Sequence, residues 1–130
     1  MKLSDADRIV VTTFDAAGAQ TVSSEWVVEV DHDTVGFWTP HAAPWAERFA
    51  LTDVVTPQAA GRGGKALREE PVLEGRGHLV AENAPEFAAV KSAIHAKYGA
   101  GATLAGLVDK AWELGGTASP EGVVVLHIVG

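Results

Sequence analysis

The alternation of apolar and polar residues opens the chain with strands. Arg8 to Phe14, RIVVTTF, is β-branched and apolar, and DAAG after it, with Asp15 and Gly18, has the composition of a turn. Thr21 to Val30 reads as one long second strand, DHDT as the next turn, and Val35 to Thr39 as the third strand. Two hairpins in succession predict an antiparallel meander. The period then changes at APWAERFAL. Pro44 suits the first helical position, where its missing N–H has no partner to lose. Trp45 and Phe49, four residues apart, share a face with Arg48 beside them, which predicts a short helix. TDVVTPQ, residues 52–58, returns to strand. AAGRGGKALREE is a Gly-rich basic connection. PVLEGRGHLVAE is the fifth strand, in which Gly75 and Gly77 signal a bulge or a close backbone approach.

The second half is helical before a last strand. NAPEFAAVKSAIHAKYG offers Asn83 as a cap, Pro85 at the helix start and Gly99 past its end, with Phe87, Val90, Ile94 and Tyr98 at helical spacing. A further helix is predicted over 102–114, carrying Leu104, Leu107, Val108 and Trp112, and GGTASPEG ends it. VVVLHIV, residues 123–129, is apolar on both faces and therefore predicts a strand covered on both. The order of elements gives a mainly β chain with α-helices, an α+β class. Its expected architecture is a six-stranded antiparallel barrel with short helices, because closure removes exposed edges.

Length and composition fit this picture. The 130 residues suit a single domain, 1–130. Hydrophobic residues at 47% and charged residues at 21% describe a chain that can fill a core, and argue against disorder. There is no cysteine, which removes disulfides, thiolate metal sites and cysteine nucleophiles from consideration. The amino terminus does not have the pattern of a signal peptide, and no apolar run is long enough for a membrane helix, so a cytoplasmic location is expected. The net charge of -7 disfavours nucleic acid and anionic membranes as partners. Against that background, Arg62, Lys65, Arg68 and Arg76 place four of the ten basic residues in one segment. That segment is either a solvated loop or a site for a small anion such as a phosphate.

Several motifs fail on inspection. AAGRGGKAL has Ala59 where a Walker loop needs its first glycine, and Ala66 where it needs a hydroxyl. Asp31, His32 and Asp33 are consecutive on a turn and splay apart, so no metal site is expected there. His32, His41, His78, His95 and His127 show no paired helical spacing for a metal. No Gly-x-Ser-x-Gly elbow is present, and Ser23 and Ser24 lie within a strand. His127, sharing a face with Val123 and Val125, is expected to be packed and hydrogen-bonded, and the same expectation holds for His78. Hydrolytic and metal-dependent chemistry both lack support.

Taken in order, these pieces resemble the pyridoxamine-phosphate-oxidase-like split β-barrel family, and within it the branch of small flavin- and deazaflavin-dependent oxidoreductases. VVTTFDAAGAQTVSSEWVVEVDHDTVGFWT is similar to the family's opening hairpins, with Trp26 late in the second strand and Trp38-Thr39 closing the third. APWAERFALTDVVTPQAAGRGG is similar to its helix, next strand and glycine-containing turn. VLEGRGHLV, AIHAKYGAGATLAGLV and GVVVLHI are similar to its later strand, its Lys-Tyr-Gly helix end and its closing strand. The resemblance implies a split barrel forming a homodimer, with the cofactor in grooves at the dimer interface. It implies FMN or the deazaflavin coenzyme F-420, with heme or another tetrapyrrole in some relatives. The ring-binding positions it implies are Ser23, Ser24 and Trp26 on the second strand, Trp38 and Thr39 at the end of the third, and His41 just after it. The phosphate positions are Arg48, Arg62 and Lys65.

One position departs from the family pattern. Where many members carry a lysine three residues before the helix arginine, this chain has Trp45, while Arg48 is kept. A missing ammonium removes a contact of about 1–3 kcal/mol to a phosphate, and an indole fills space. Two functions follow as expectations. The first is hydride transfer by a bound flavin or deazaflavin to a small organic substrate, with His41 as the candidate proton donor. The second is a non-enzymatic or altered-site barrel that binds a flavin or heme. A dimer without any small-molecule site is the third possibility, in which Trp38 and Trp45 are core or interface.

Overall fold

The structure is a computed structural model, which describes residues 1–15, 17–98 and 121–129. Its strands are β1 (Arg8–Phe14), β2 (Gln20–Glu25), β3 (Val28–Asp31), β4 (Thr34–Thr39), β5 (Val54–Ala60), β6 (Gly75–Val80) and β7 (Gly122–Ile128). The helices are α1 (Ala42–Leu51), between β4 and β5, and α2 (Pro85–Tyr98), after β6. The helix expected over 102–114 lies outside the described residues. All strands join one antiparallel sheet in the order β2-β1-β5-β6-β7-β4-β3.

The described residues hold seven strands rather than the expected six, because the long second strand is broken. The break falls at Trp26 and Val27, and its cause lies at the end of α2. Tyr98 Oη accepts the Val27 N–H at 3.0 Å and donates to the Asp7 carbonyl at 2.7 Å, with the Val27 carbonyl at 3.2 Å. Lys97 Nζ donates to the carbonyls of Ser4, Ala6 and Val27 at 2.7, 2.9 and 2.8 Å, which uses all three of its protons. Backbone groups that a straight strand would offer to a neighbour are thus taken by two side chains, and the chain turns a corner. β2 and β3 become the opposite edges of the sheet. No ladder joins them, so the sheet is a split, open barrel rather than a closed one.

Two apolar layers fill the molecule. Inside the curved sheet lie Ile9, Val11, Val27, Phe37, Trp45, Val55, Val124 and Leu126. On the outer face of β4 and β7, α2 packs Phe87, Val90 and Ile94 against Val28, Trp38, Val123 and Val125. This accounts for the doubly apolar final strand: alternate residues of β7 serve the two layers, as expected. Gly77 of β6 faces inward so tightly that a Cβ there would lie 2.8 Å from the Phe49 ring, so α1 sits close on the sheet. The helix boundaries differ slightly from expectation. α1 starts at Ala42, so Pro44 is its third residue, still within the turn whose N–H groups lack helical partners. α2 starts at Pro85, so Ala84 rather than Asn83 precedes it.

Candidate functional site

The residues singled out by sequence fall into two groups, one buried in the two apolar layers and one gathered along β2. Trp38 is in the first. It is buried under α2, and its Nε1 donates to Glu121 Oε2 at 2.9 Å, while Glu121 Oε1 takes Lys91 Nζ at 2.6 Å. Thr39 is buried beside it. Its hydroxyl accepts the His41 N–H and donates to the His41 carbonyl, both at 3.2 Å, which fixes the residue that precedes α1. Trp45 is only 4% exposed. It meets Phe37 edge-on at 5.1 Å between ring centroids and Phe49 at 5.8 Å. The indole at the departing position is therefore part of the interior, and the spacing of Trp45 and Phe49 on one helix face is what places it there.

Around β2 the remaining candidates come together. Residues 61–65 form a tight turn, in which the Gly61 N–H donates to the Lys65 carbonyl at 3.0 Å and the Gly64 N–H to the Gly61 carbonyl at 2.9 Å. Gly64 has φ +82°, and a Cβ there would lie 2.7 Å from Ser24 Oγ. Both features favour glycine. The turn is thereby laid on β2, with Arg62 and Lys65 exposed on it. Neither makes an ion pair among the described residues. Trp26 is held at the corner, stacked on Tyr98 at 5.1 Å and covered by the Arg8 guanidinium at 5.3 Å. Arg48 lies over the Trp45 ring at 4.7 Å.

The sequence reading missed Glu25 and Arg8. Glu25 pairs across the ladder with Ile9, and Ser23 with Val11, so both point to the inner face of the sheet. Burial pushes the Glu25 carboxyl up to about 7, against the Ser23 hydroxyl and the Arg48 and Arg8 charges, which pull it down. Ser23 Oγ is buried and makes no hydrogen bond of good geometry with any described residue. Glu25 makes no ion pair among them. A half-buried carboxyl, an orphan hydroxyl and two guanidiniums at one strand edge can bind a polar or anionic group and can hold a proton near neutral pH. The signal that could have found Glu25 is its charge at an inward strand position. It was masked because the apolar residues Val22 and Trp26 have the opposite parity.

His78 and His127, expected to be packed, are both exposed. His127 Nδ1 is hydrogen-bonded to Thr34 Oγ1 at 3.1 Å, and the two imidazoles stack at 5.4 Å. α2 covers Val123 and Val125 but stops short of the next outward position of β7. Among the described residues no group of three or more His, Asp or Glu side chains is arranged for a metal, and no helix is long and apolar enough to cross a membrane.

No family model and no curated protein matches the chain. Solved structures do. The heme storage protein HutZ from Vibrio cholerae is 15% identical, with a TM-score of 0.67 over 100% of this chain and 92% of that one. A putative pyridoxamine 5'-phosphate oxidase from Listeria innocua is 14% identical, with a TM-score of 0.56 over 98% and 88%. An F420 reductase is 16% identical, with a TM-score of 0.51 over 99% and 91%. The coverage is nearly complete on both sides while the identities are low, so the likeness is one of fold. The chain has the split-barrel fold of the pyridoxamine-phosphate-oxidase-like proteins.

Proposed function

We propose that the chain binds a flat, phosphate-bearing redox cofactor along β2, either FMN or the deazaflavin F-420, and serves hydride transfer to a small organic substrate. The observation that carries this reading is the closure of the 61–65 turn on Ser24, which sets the exposed cations Arg62 and Lys65 against the strand that holds Ser23 and Glu25, with Trp26 just beyond its end. Such a cofactor supplies the two-electron chemistry itself. The chain's part is to bind and orient. Arg62 and Lys65 hold the phosphate, the backbone and hydroxyl of Ser24 meet the ring edge, and Trp26 presents an indole already fixed by Tyr98 and Arg8. Glu25 keeps a proton on its carboxyl close to neutral pH because burial outweighs the pull of Arg48 and Arg8, and it is a candidate proton store beside the ring. His41 remains a candidate donor at the start of α1. Trp45 backs Arg48 from the inner core, while Trp38 and Thr39 belong to the framework around β4.

The site is completed in this reading by a second copy of the chain. Val10, opposite Ser24, and Val22, opposite Thr12, share the outer face of β1 and β2, and Val72 bridges to the neighbouring Gln58. Val22 and Val72 are 60% and 61% exposed. Covering this apolar strip in a homodimer would also exclude water from the basic turn beside it.

A second reading is favoured by Trp45. With an indole built into the core where a lysine is usual, the phosphate grip rests on the turn alone, which suits a protein that binds a flavin or heme without turning it over. The heme storage protein and the F420 reductase of like fold stand for the two outcomes. The absorption spectrum of the purified protein, followed by titration of its tryptophan fluorescence with FMN, F-420 and heme, tests both. Saturable binding with turnover of reduced F-420 or NAD(P)H supports the enzyme, and binding without turnover supports the second reading. A fluorescence unmoved by all three contradicts both.

A further inference from the structure

A second site lies where α2 begins, takes none of its lining from β2, and does not depend on the cofactor reading. A cleft of about 410 Å³ opens where α2 begins over the sheet, and Asp31, Thr34, His78, Glu86, Val125 and His127 are among its walls. Three adjacent strands build it. Thr34 of β4 is directly opposite His127 of β7, and His78 of β6 is the diagonal neighbour of His127, since His78 faces Val125 and His127 faces Arg76. The imidazoles lie 5.4 Å apart between centroids with 15° between their planes. Both are exposed, so their rings can turn.

We propose that His78 and His127 form a two-imidazole site for a borderline divalent cation of the copper, nickel or zinc kind, with its remaining positions left to water or an external ligand. Imidazole is the nitrogen donor these ions prefer. Thr34 supplies what a metal-bound histidine requires. When His127 Nδ1–H donates to Thr34 Oγ1, across the observed 3.1 Å, the tautomer is fixed and Nε2 presents its lone pair to the cleft. His78 needs only a rotation of its ring to bring a nitrogen toward the same point. The charge balance is favourable. Asp31 and Glu86 share the cleft. Arg76, the cation opposite His127, is neutralised by Asp53 at 2.6 Å. With no third protein ligand arranged among the described residues, the site is open and exchangeable rather than structural.

The experiment is a calorimetric titration of the untagged protein with Cu²⁺ and with Zn²⁺ at pH 7.5, joined to the electron paramagnetic resonance spectrum of the copper form. The expected result is one saturable equivalent, with splitting from two equatorial nitrogens. His78→Gln and His127→Gln should each weaken binding by at least tenfold, and Thr34→Val by a smaller factor, while circular dichroism stays unchanged. His32→Gln, which alters an exposed histidine on the neighbouring turn, should leave affinity unaltered. No saturable binding overturns the proposal. So does binding that survives both cleft variants or is abolished by His32→Gln.

Discussion

Gly64 and Ser24 approach so closely that any side chain at position 64 would displace the serine hydroxyl. A Cβ would stand 2.7 Å from the serine hydroxyl, on a backbone with φ +82°. This contact joins the basic turn to β2. Gly64→Ala should cost about 1–2 kcal/mol from the left-handed backbone alone, with a further loss from displacing the turn. Chemical denaturation measures the first effect. A fall in FMN or F-420 affinity larger than that of an Arg62→Ala variant would reveal the second.

Tyr98 is the pin of the corner between β2 and β3. Tyr98→Phe keeps the stack on Trp26 but leaves the Val27 N–H and the Asp7 carbonyl without their partner. The expected loss is about 1 kcal/mol, the net worth of a hydrogen bond, since the Val27 N–H is part-buried and the Asp7 carbonyl is open to water. Urea unfolding with an unchanged m-value checks it. A variant as stable as the parent would show that the corner is held by Lys97 and packing alone.

Glu25 makes stability depend on pH. Its carboxyl is raised from 4.5 to about 7 in the folded protein, chiefly by burial. Between those values the native state keeps a proton that the unfolded chain has released, so stability falls as pH rises through the window and levels off above it. Glu25→Gln should flatten this slope and be more stable than the parent at pH 8. Melting temperatures of both proteins from pH 4 to pH 9 decide the matter. Parallel curves would place the titration elsewhere.

Trp45 is a core residue before it is anything else. Trp45→Ala should cost about 3–5 kcal/mol, as large-to-small changes at buried aromatics do. Trp45→Lys should be at least as harmful, since it buries an ammonium against Phe37 and Phe49. Restoring the lysine of the family pattern is therefore expected to unfold the barrel rather than tighten a phosphate. A folded Trp45→Lys protein with higher FMN affinity would contradict this.

Much of the fold was legible because apolar periodicity reports burial directly. The α2 residues Phe87, Val90 and Ile94 and the doubly apolar β7 are placed as their spacing demands. The failures come from contacts distant in sequence. Nothing local in Thr21 to Val30 says that Lys97 and Tyr98 will take the backbone groups of Val27, so its sequence alone predicts an unbroken strand. The same corner inverts the parity of β2. Val22 and Ser24 look outward and Ser23 and Glu25 inward, opposite to what the apolar residues suggest. The site was legible in part. Ser24, Arg62 and Lys65 meet around Gly64, whereas Trp38 and Trp45, similar to the eye in sequence, went to two different cores.

The central claim is that the turn and β2 together hold an anionic, flat cofactor, and its most direct test is one affinity measurement. FMN and F-420 are titrated into the parent and into an Arg62→Ala/Lys65→Ala variant, at low and at raised salt. Loss of both phosphate cations should weaken binding at least tenfold, by about 1.4 kcal/mol or more, and should reduce its salt dependence, with the melting temperature unchanged. Equal affinity for parent and variant, or no binding of either cofactor to the parent, contradicts the claim.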